Sequence, residues 1–208
     1  MSSLEIKRRV AEYYTDRLRE HGATHRGVDW NSRDSQLLRF EQFMRAFPAG
    51  ERVSVLDYGC GYGTFATFLE DAGVDFDYVG YDISDEMIQT ARQMFSDRSR
   101  WSFTTVGDDL QPADVTVASG IFNVRVGTDE ADWRRYAMET ISELARLSRR
   151  ALAFNMLTSY SDPERMTDRL FYADPGFYFD WCKRNLGRDV ALLHDYGLFE
   201  FTIVVRRA

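Results

Sequence analysis

The apolar positions change period along the chain, and each change marks a change of element. Leu4, Ile6, Val10, Tyr13, Tyr14 and Leu18 recur at helical spacing. After a break at Gly22–Gly27, a second helical run (Leu37, Leu38, Phe40, Phe43, Met44, Phe47) ends at Pro48-Ala49-Gly50. Beyond residue 50 short apolar runs take over, at Val53–Leu56, Phe76–Tyr81, Trp101–Val106, Val115–Ala118 and Ala151–Leu157, and these predict buried strands. Helical patterns separate them at Thr64–Ala72, Ser84–Phe95 and Asp129–Leu147, with Ser84 as an N-cap and Asp85 and Glu86 at the positive end of their helix. Only the Gly107–Ala113 connection is too short for a helix. Such alternation predicts a parallel sheet covered by helices on both faces. Two further runs, Val190–His194 and Glu200–Val205, are joined by so short a loop that they must pair antiparallel. The expectation is an α/β, three-layer domain spanning residues 1–208, with a seven-stranded, mostly parallel sheet in which one strand near the end is reversed. Two segments lie outside this core: the helical residues 1–50, and a Tyr-, Phe- and Asp-rich insertion at 158–187.

Composition narrows the function. With 208 residues, 44% hydrophobic and 28% charged, the chain is neither disordered nor fibrous. Its net charge of −7 is concentrated in residues 51–150, which carry 10 basic and 18 acidic side chains. No basic tract exceeds Lys7-Arg8-Arg9, so a nucleic-acid backbone is a poor partner, and a small molecule is expected instead. No apolar run approaches the roughly 18 residues of a membrane span, and the charged start has no signal-peptide core. Cys60 and Cys182 match no zinc or redox spacing, which fits a reducing, cytoplasmic setting, with the chain a monomer or homodimer.

The chemistry is concentrated in Val53-Ser54-Val55-Leu56-Asp57-Tyr58-Gly59-Cys60-Gly61-Tyr62-Gly63-Thr64. An acid ends a strand, three alternating glycines follow, and then a helix begins. Glycines let backbone turn sharply and approach a ligand closely, and a helix start offers free N–H groups. The bland alternative is a tight turn and no more. A second acid, Asp82, ends the next strand 25 positions later. It can accept from both hydroxyls of a ribose, with Ile83 offering an apolar face beside a base, or it can simply cap a helix. A third acidic point, Asp108-Asp109 after Gly107, is either a turn or an acceptor for an exocyclic amine. A dinucleotide site wants G-x-G-x-x-G and no anion nearby. Here the sixth position is Thr64, and Asp57 stands before the turn, which would repel phosphates and welcome a cationic amino-acid moiety. That favours S-adenosylmethionine over NAD.

These residues, with Asp82-Ile83-Ser84-Asp85-Glu86-Met87-Ile88 and Ala118-Ser119-Gly120, resemble the successive motifs of class I S-adenosylmethionine-dependent methyltransferases over about residues 50–157. The resemblance implies a Rossmann-like sheet of order 3-2-1-4-5-7-6 with an antiparallel C-terminal strand. By its logic the Asp57–Gly63 loop (Gly59, Gly61, Gly63) holds the methionine part, Asp82 the ribose and Asp108 the adenine, with Ser119 following the fourth strand. It also suggests that Trp30, before the first core helix, reaches the methionine end. The expected activity is methyl transfer to an oxygen or nitrogen of a small metabolite, without a metal. A NAD-dependent oxidoreductase and a non-catalytic binding protein are the alternatives.

Methyl transfer from a sulfonium is an in-line displacement, so alignment of the acceptor dominates, and an unactivated acceptor also needs a base. His194, beside Asp195, is the candidate base, though a structural histidine at a strand end is equally consistent. Arg33 and Arg125 could hold an acceptor's anionic group, and Tyr14, Phe122, Asn155 and Tyr160 could line its pocket, unless the aromatics are core. The N-terminal segment is expected to fold over the crevice as a lid, and residues 158–187 to decide acceptor choice.

Overall fold

The structure, a computed structural model, describes residues 1–30 and 32–207. Asn31 and Ala208 lie outside the described residues. Seven strands form one sheet: β1 (Val53–Tyr58), β2 (Phe76–Tyr81), β3 (Trp101–Thr104), β4 (Ala113–Ala118), β5 (Ser148–Leu157), β6 (Asp189–Leu193) and β7 (Glu200–Arg206). Their order is β3-β2-β1-β4-β5-β7-β6, as the resemblance implies. All neighbours are parallel except those of β7, which runs antiparallel to both β5 and β6. The reversed strand thus lies inside the sheet, between two strands that share one direction.

Among the described residues six α-helices cover the faces: α1 (Ser3–His21), α2 (Arg33–Phe43), α3 (Thr64–Asp71), α4 (Asp85–Met94), α5 (Glu130–Arg146) and α6 (Pro175–Asn185). Side chains alternate across a strand, so β1 sends Val53 and Val55 to one face and Leu56 and Tyr58 to the other. The first face packs against Phe40 and Phe43 of α2, Phe65 and Leu69 of α3 and Ile88 of α4. The second packs against Ile6 and Val10 of α1, Trp133, Ile141 and Leu144 of α5, and Tyr178 of α6. Both clusters are largely sealed from water, as a doubly covered parallel sheet requires.

Strand β5 begins at Ser148, three residues before its apolar run, because Arg149 and Arg150 are exposed and pair with Asp114 and Glu51 at the rim of the sheet. Strand β3 ends at Thr104, whose Oγ1 accepts from the Val106 N–H and turns the chain, leaving Val106 exposed. The 158–187 segment contains α6, started by Pro175 and capped by Asp174, which accepts from the Gly176 and Phe177 N–H groups. Aromatic and acidic composition concealed this helix.

Helix α1 crosses from α5 to α4. Near its start Met1 pairs with Asp132 and Ser3 donates to Glu139. Towards its end Thr15 hydrogen-bonds Ser84 and Arg19 pairs with Glu86. The helix therefore spans the carboxyl ends of the central strands.

Candidate active site

A cleft opens where β1, β2 and β4 end, beneath α1, the short 3-10 turn His25–Val28 and α2. This is where parallel α/β sheets place their ligands, because strand order reverses there. Its floor is the loop after β1. Gly59 has φ +83°, and a Cβ there would stand 2.3 Å from Ile121 Cγ2, so a side chain would strain the backbone and displace Ile121. The Gly59 and Cys60 N–H groups donate to the Tyr81 carbonyl at 2.7 and 2.9 Å, tying the loop to the end of β2. Gly61 N–H instead turns to Asp82 Oδ2, at 2.9 Å.

Both acids at the strand ends line the cleft. Asp82 accepts through Oδ1 from the Ser84 N–H at 2.9 Å, so each of its oxygens holds one backbone donor and has lone-pair capacity left. Asp57 is buried and accepts from the Tyr78 hydroxyl at 2.6 Å. Burial raises its pKa to about 7, the Tyr78 bond opposing and the nearby Asp82 adding to the shift. Burial also raises Asp82, against the backbone N–H bonds that lower it.

The upper wall comes from residues before 50. Lys7, Val10 and Tyr14 form one stripe of α1, and Val28, Trp30, Gln36 and Phe40 continue it. Lys7 donates to the Tyr58 hydroxyl at 3.4 Å and lies 3.9 Å from Glu143. Asp29 accepts from the Tyr13 hydroxyl at 2.8 Å and pairs with Arg17 and Arg169, which binds this wall to the 158–187 segment. Ser119, at the end of β4, also lines the cleft; its buried Oγ has no partner among the described residues. The residues present therefore fit a ligand that has a cation, a diol and a further polar group: two carboxylates, one unpartnered hydroxyl, and a backbone cradle that a Cβ would fill.

Of the sequence-predicted residues, the fold brings Tyr14, Trp30, Asp57, Gly59, Gly61, Asp82, Ile83 and Ser119 to this cleft. Gly63 is the N-cap of α3 and is not among the lining residues. Asp108 and Asp109 are exposed and outside the lining, with the Tyr81 ring between the Gly107 turn and the cleft. Phe122 is fully buried core, and its carbonyl accepts from Trp133 Nε1 at 2.9 Å. Asn155 is buried behind the wall, accepting from the Gly120 N–H at 2.8 Å. Arg33 is exposed in the first turn of α2, Arg125 donates to the Asp168 carbonyl, and Tyr160 is 75% exposed.

His194 is not brought to the cleft. It follows β6, four strand spacings from β1 or roughly 19 Å at about 4.8 Å per spacing, and is exposed beside Tyr160 and Phe201. Replacing His194 by alanine is expected to change binding of S-adenosylhomocysteine by less than about twofold and stability by less than about 0.5 kcal/mol. Titration calorimetry and thermal unfolding check both.

Lining residues the sequence reading passed over include Lys7, Gln36, Phe40, Tyr58, Tyr81 and Tyr136. Lys7 was findable, since it shares helical spacing with Val10 and Tyr14. Among the described residues no three His, Cys, Asp or Glu side chains converge as a metal site would need, and no helix is long and apolar enough to cross a membrane.

The sheet order, the glycine turn and the acids at successive strand ends define a class I S-adenosylmethionine-dependent methyltransferase, and the chain belongs to that family: the model of a methyltransferase domain matches residues 13–176. Among relatives, the Mycobacterium tuberculosis protein named "Putative methyltransferase Rv1506c" is 46% identical over 165 residues, covering 79% of this chain and 99% of that protein. The same fold occurs in the magnesium protoporphyrin IX methyltransferase of Synechocystis PCC 6803 with bound S-adenosylhomocysteine, at TM-score 0.66, 15% identity and full coverage of both chains. The DhpI-SAM-HEP complex also shares it, at TM-score 0.66, 17% identity and full coverage of both chains.

Proposed function

We propose that the chain methylates an oxygen or nitrogen of a small metabolite in this cleft. The observation that carries the reading is the pair Asp57 and Asp82, two carboxylates at the ends of neighbouring strands, lining one cleft with the glycine turn between them. When bound, S-adenosylmethionine supplies a methyl group on a positively charged sulfur. Ionised Asp57 suits the ammonium of the methionine part, and Asp82 has the lone pairs to accept from ribose hydroxyls. Ile83 and Ile121 offer apolar surface for a purine, and Ser119 Oγ a free polar contact.

On the acceptor side, Tyr14, Trp30 and Phe40 with the single amide of Gln36 suit a small, largely apolar molecule with one polar handle. No histidine lines the cleft among the described residues, and Lys7 is engaged by Tyr58 and Glu143. The acceptor therefore brings its own lone pair, as a neutral amine or an acidic hydroxyl does, and the protein contributes alignment and exclusion of water. Residues 1–50 serve as the lid. Residues 158–187 influence acceptor choice through the hold of Arg169 on Tyr13 and Asp29.

Parallel calorimetric titrations with S-adenosylmethionine, S-adenosylhomocysteine and NAD test the site. Dissociation constants in about the micromolar range for the two sulfur compounds and none for NAD are expected. A screen of amines, phenols and carbon acids with methyl-labelled S-adenosylmethionine then tests the acceptor, and label found only on carbon would overturn the oxygen-or-nitrogen reading.

A further inference from the structure

Behind the cleft wall runs a buried polar chain whose two ends touch each other. Arg39 of α2 and Glu200 at the start of β7 are 6% and 2% exposed. Arg39 Nε and Nη2 donate to the two carboxylate oxygens of Glu200, each at 2.7 Å. Asn155 of β5 donates through Nδ2 to Glu200 Oε2 at 2.9 Å and accepts through Oδ1 from the Gly120 N–H at 2.8 Å. At the other end the Arg39 guanidinium lies 4.1 Å from the centroid of the Trp30 ring. The indole in turn lies against Gly120, where a Cβ would stand 2.6 Å from it. Trp30 and Gly120 line the cleft, whereas Arg39, Glu200 and Asn155 do not.

A buried ion pair is a poor source of net stability, because desolvation offsets most of the attraction and apolar side chains of similar size often serve as well. What this pair supplies is direction. The rigid fork of arginine fixes the guanidinium plane, that plane fixes the indole stacked on it, and the shared carboxylate fixes Asn155 and hence the Gly120 backbone. We infer that Arg39, Glu200 and Asn155 are positioning residues for methyl transfer, holding Trp30 against Gly120 so that the cleft wall next to Ser119 has one shape before any ligand enters. The inference rests on the cleft being the cofactor and acceptor site proposed above.

The test uses the full chain labelled with 5-fluorotryptophan. Its four tryptophans give four fluorine resonances, that of Trp30 being assigned by Trp30→Phe. The main variant is the double substitution Arg39→Met with Glu200→Gln, which leaves no buried charge unpaired, fills the arginine stem and keeps an acceptor for Asn155. Expected are three unmoved resonances, a shifted or broadened Trp30 line, and affinity for S-adenosylhomocysteine reduced roughly 10- to 100-fold. A Trp30 line in its original place, or affinity within about twofold of the parent, would overturn the inference. Arg39→Lys provides a second arm should the double variant not fold. It keeps the charge and loses the fork, and recovery of both the Trp30 line and the affinity would equally overturn the proposal. A parent protein that fails to bind S-adenosylhomocysteine would instead remove the cleft reading, and this inference with it.

Discussion

Replacing Asp57 by asparagine should yield a protein that is harder to unfold yet holds its cofactor poorly. The carboxyl group is buried, and burial raises its pKa from 3.8 to about 7. The folded state thus binds this proton more tightly than the unfolded chain does. Stability is highest below the unfolded pKa, declines as the pH rises from about 4 to about 7, and levels off above, the gap corresponding to roughly 4 kcal/mol. Asp82, shifted in the same direction, adds to the decline. Asparagine carries no charge at any of these pH values and still accepts from the Tyr78 hydroxyl. At pH 8 the variant should therefore unfold later than the parent by a few kcal/mol, on the order of 2–4 °C for each in a domain of this size, and at pH 4 the two should coincide. Binding moves the other way. An ammonium prefers the ionised acid, so the parent should bind S-adenosylhomocysteine more weakly as the pH falls below about 7. The variant should bind roughly 10- to 100-fold more weakly at pH 8, the worth of one charge-assisted hydrogen bond. Calorimetric scans and titrations across pH measure both. A variant no more stable than the parent at pH 8 would mean that Asp57 is better solvated than its surroundings indicate.

Asp82→Ala should cost more affinity and bring less change in stability. Two contributions go together: the acceptance from two ribose hydroxyls proposed above, and the anchoring of the Gly61 and Ser84 N–H groups that shapes the glycine turn. At about 1.5–3 kcal/mol for each charge-assisted bond to the diol, the loss is roughly 10²- to 10⁴-fold. Asp82→Asn should fall between parent and alanine, since its amide retains one accepting oxygen. Because Asp82 is itself a desolvated charge, removing it offsets part of the cost of the freed N–H groups, and Tm should move by only a few degrees. Calorimetric titration with S-adenosylhomocysteine decides this. Affinity retained to within about fivefold in the alanine variant would show that the diol is held elsewhere.

The central sheet, and the strand-end acids and glycine turn that line the cleft, were legible because their signals are local. A strand, an acid at its end and alternating glycines all lie within Val53–Thr64, and the next acid closes the next strand. The opposite wall was not, because it is assembled from distant segments. Lys7 meets Tyr58, and Arg39 meets Glu200, across 51 and 161 positions. Nothing near Asn155 in sequence indicates that its amide supports the Gly120 turn and does not face a ligand. His194 drew attention through its chemistry and its place at a strand end, but strand order in space puts that end at the far side of the sheet. The acidic Gly107 turn was correctly located after the third strand, yet the bulk of Tyr81, invisible to spacing, stands between it and the cleft.

The position of β7 also sets an order of events. This strand is made after every other strand in the sheet, yet it must slot between β5 and β6, and it delivers Glu200 to an arginine that left the ribosome 161 residues earlier. Until that insertion, Arg39 has no carboxylate to hold it, Trp30 has no fixed plate beneath it, and β5 presents an open edge. A nascent chain can complete the glycine turn and both acids long before its cleft acquires a settled wall. Closing so long a loop is the slow kind of step in folding, since the entropy of bringing the ends together is lost before the contacts form. Ligand competence should therefore arrive late and all at once, as a property of the finished sheet.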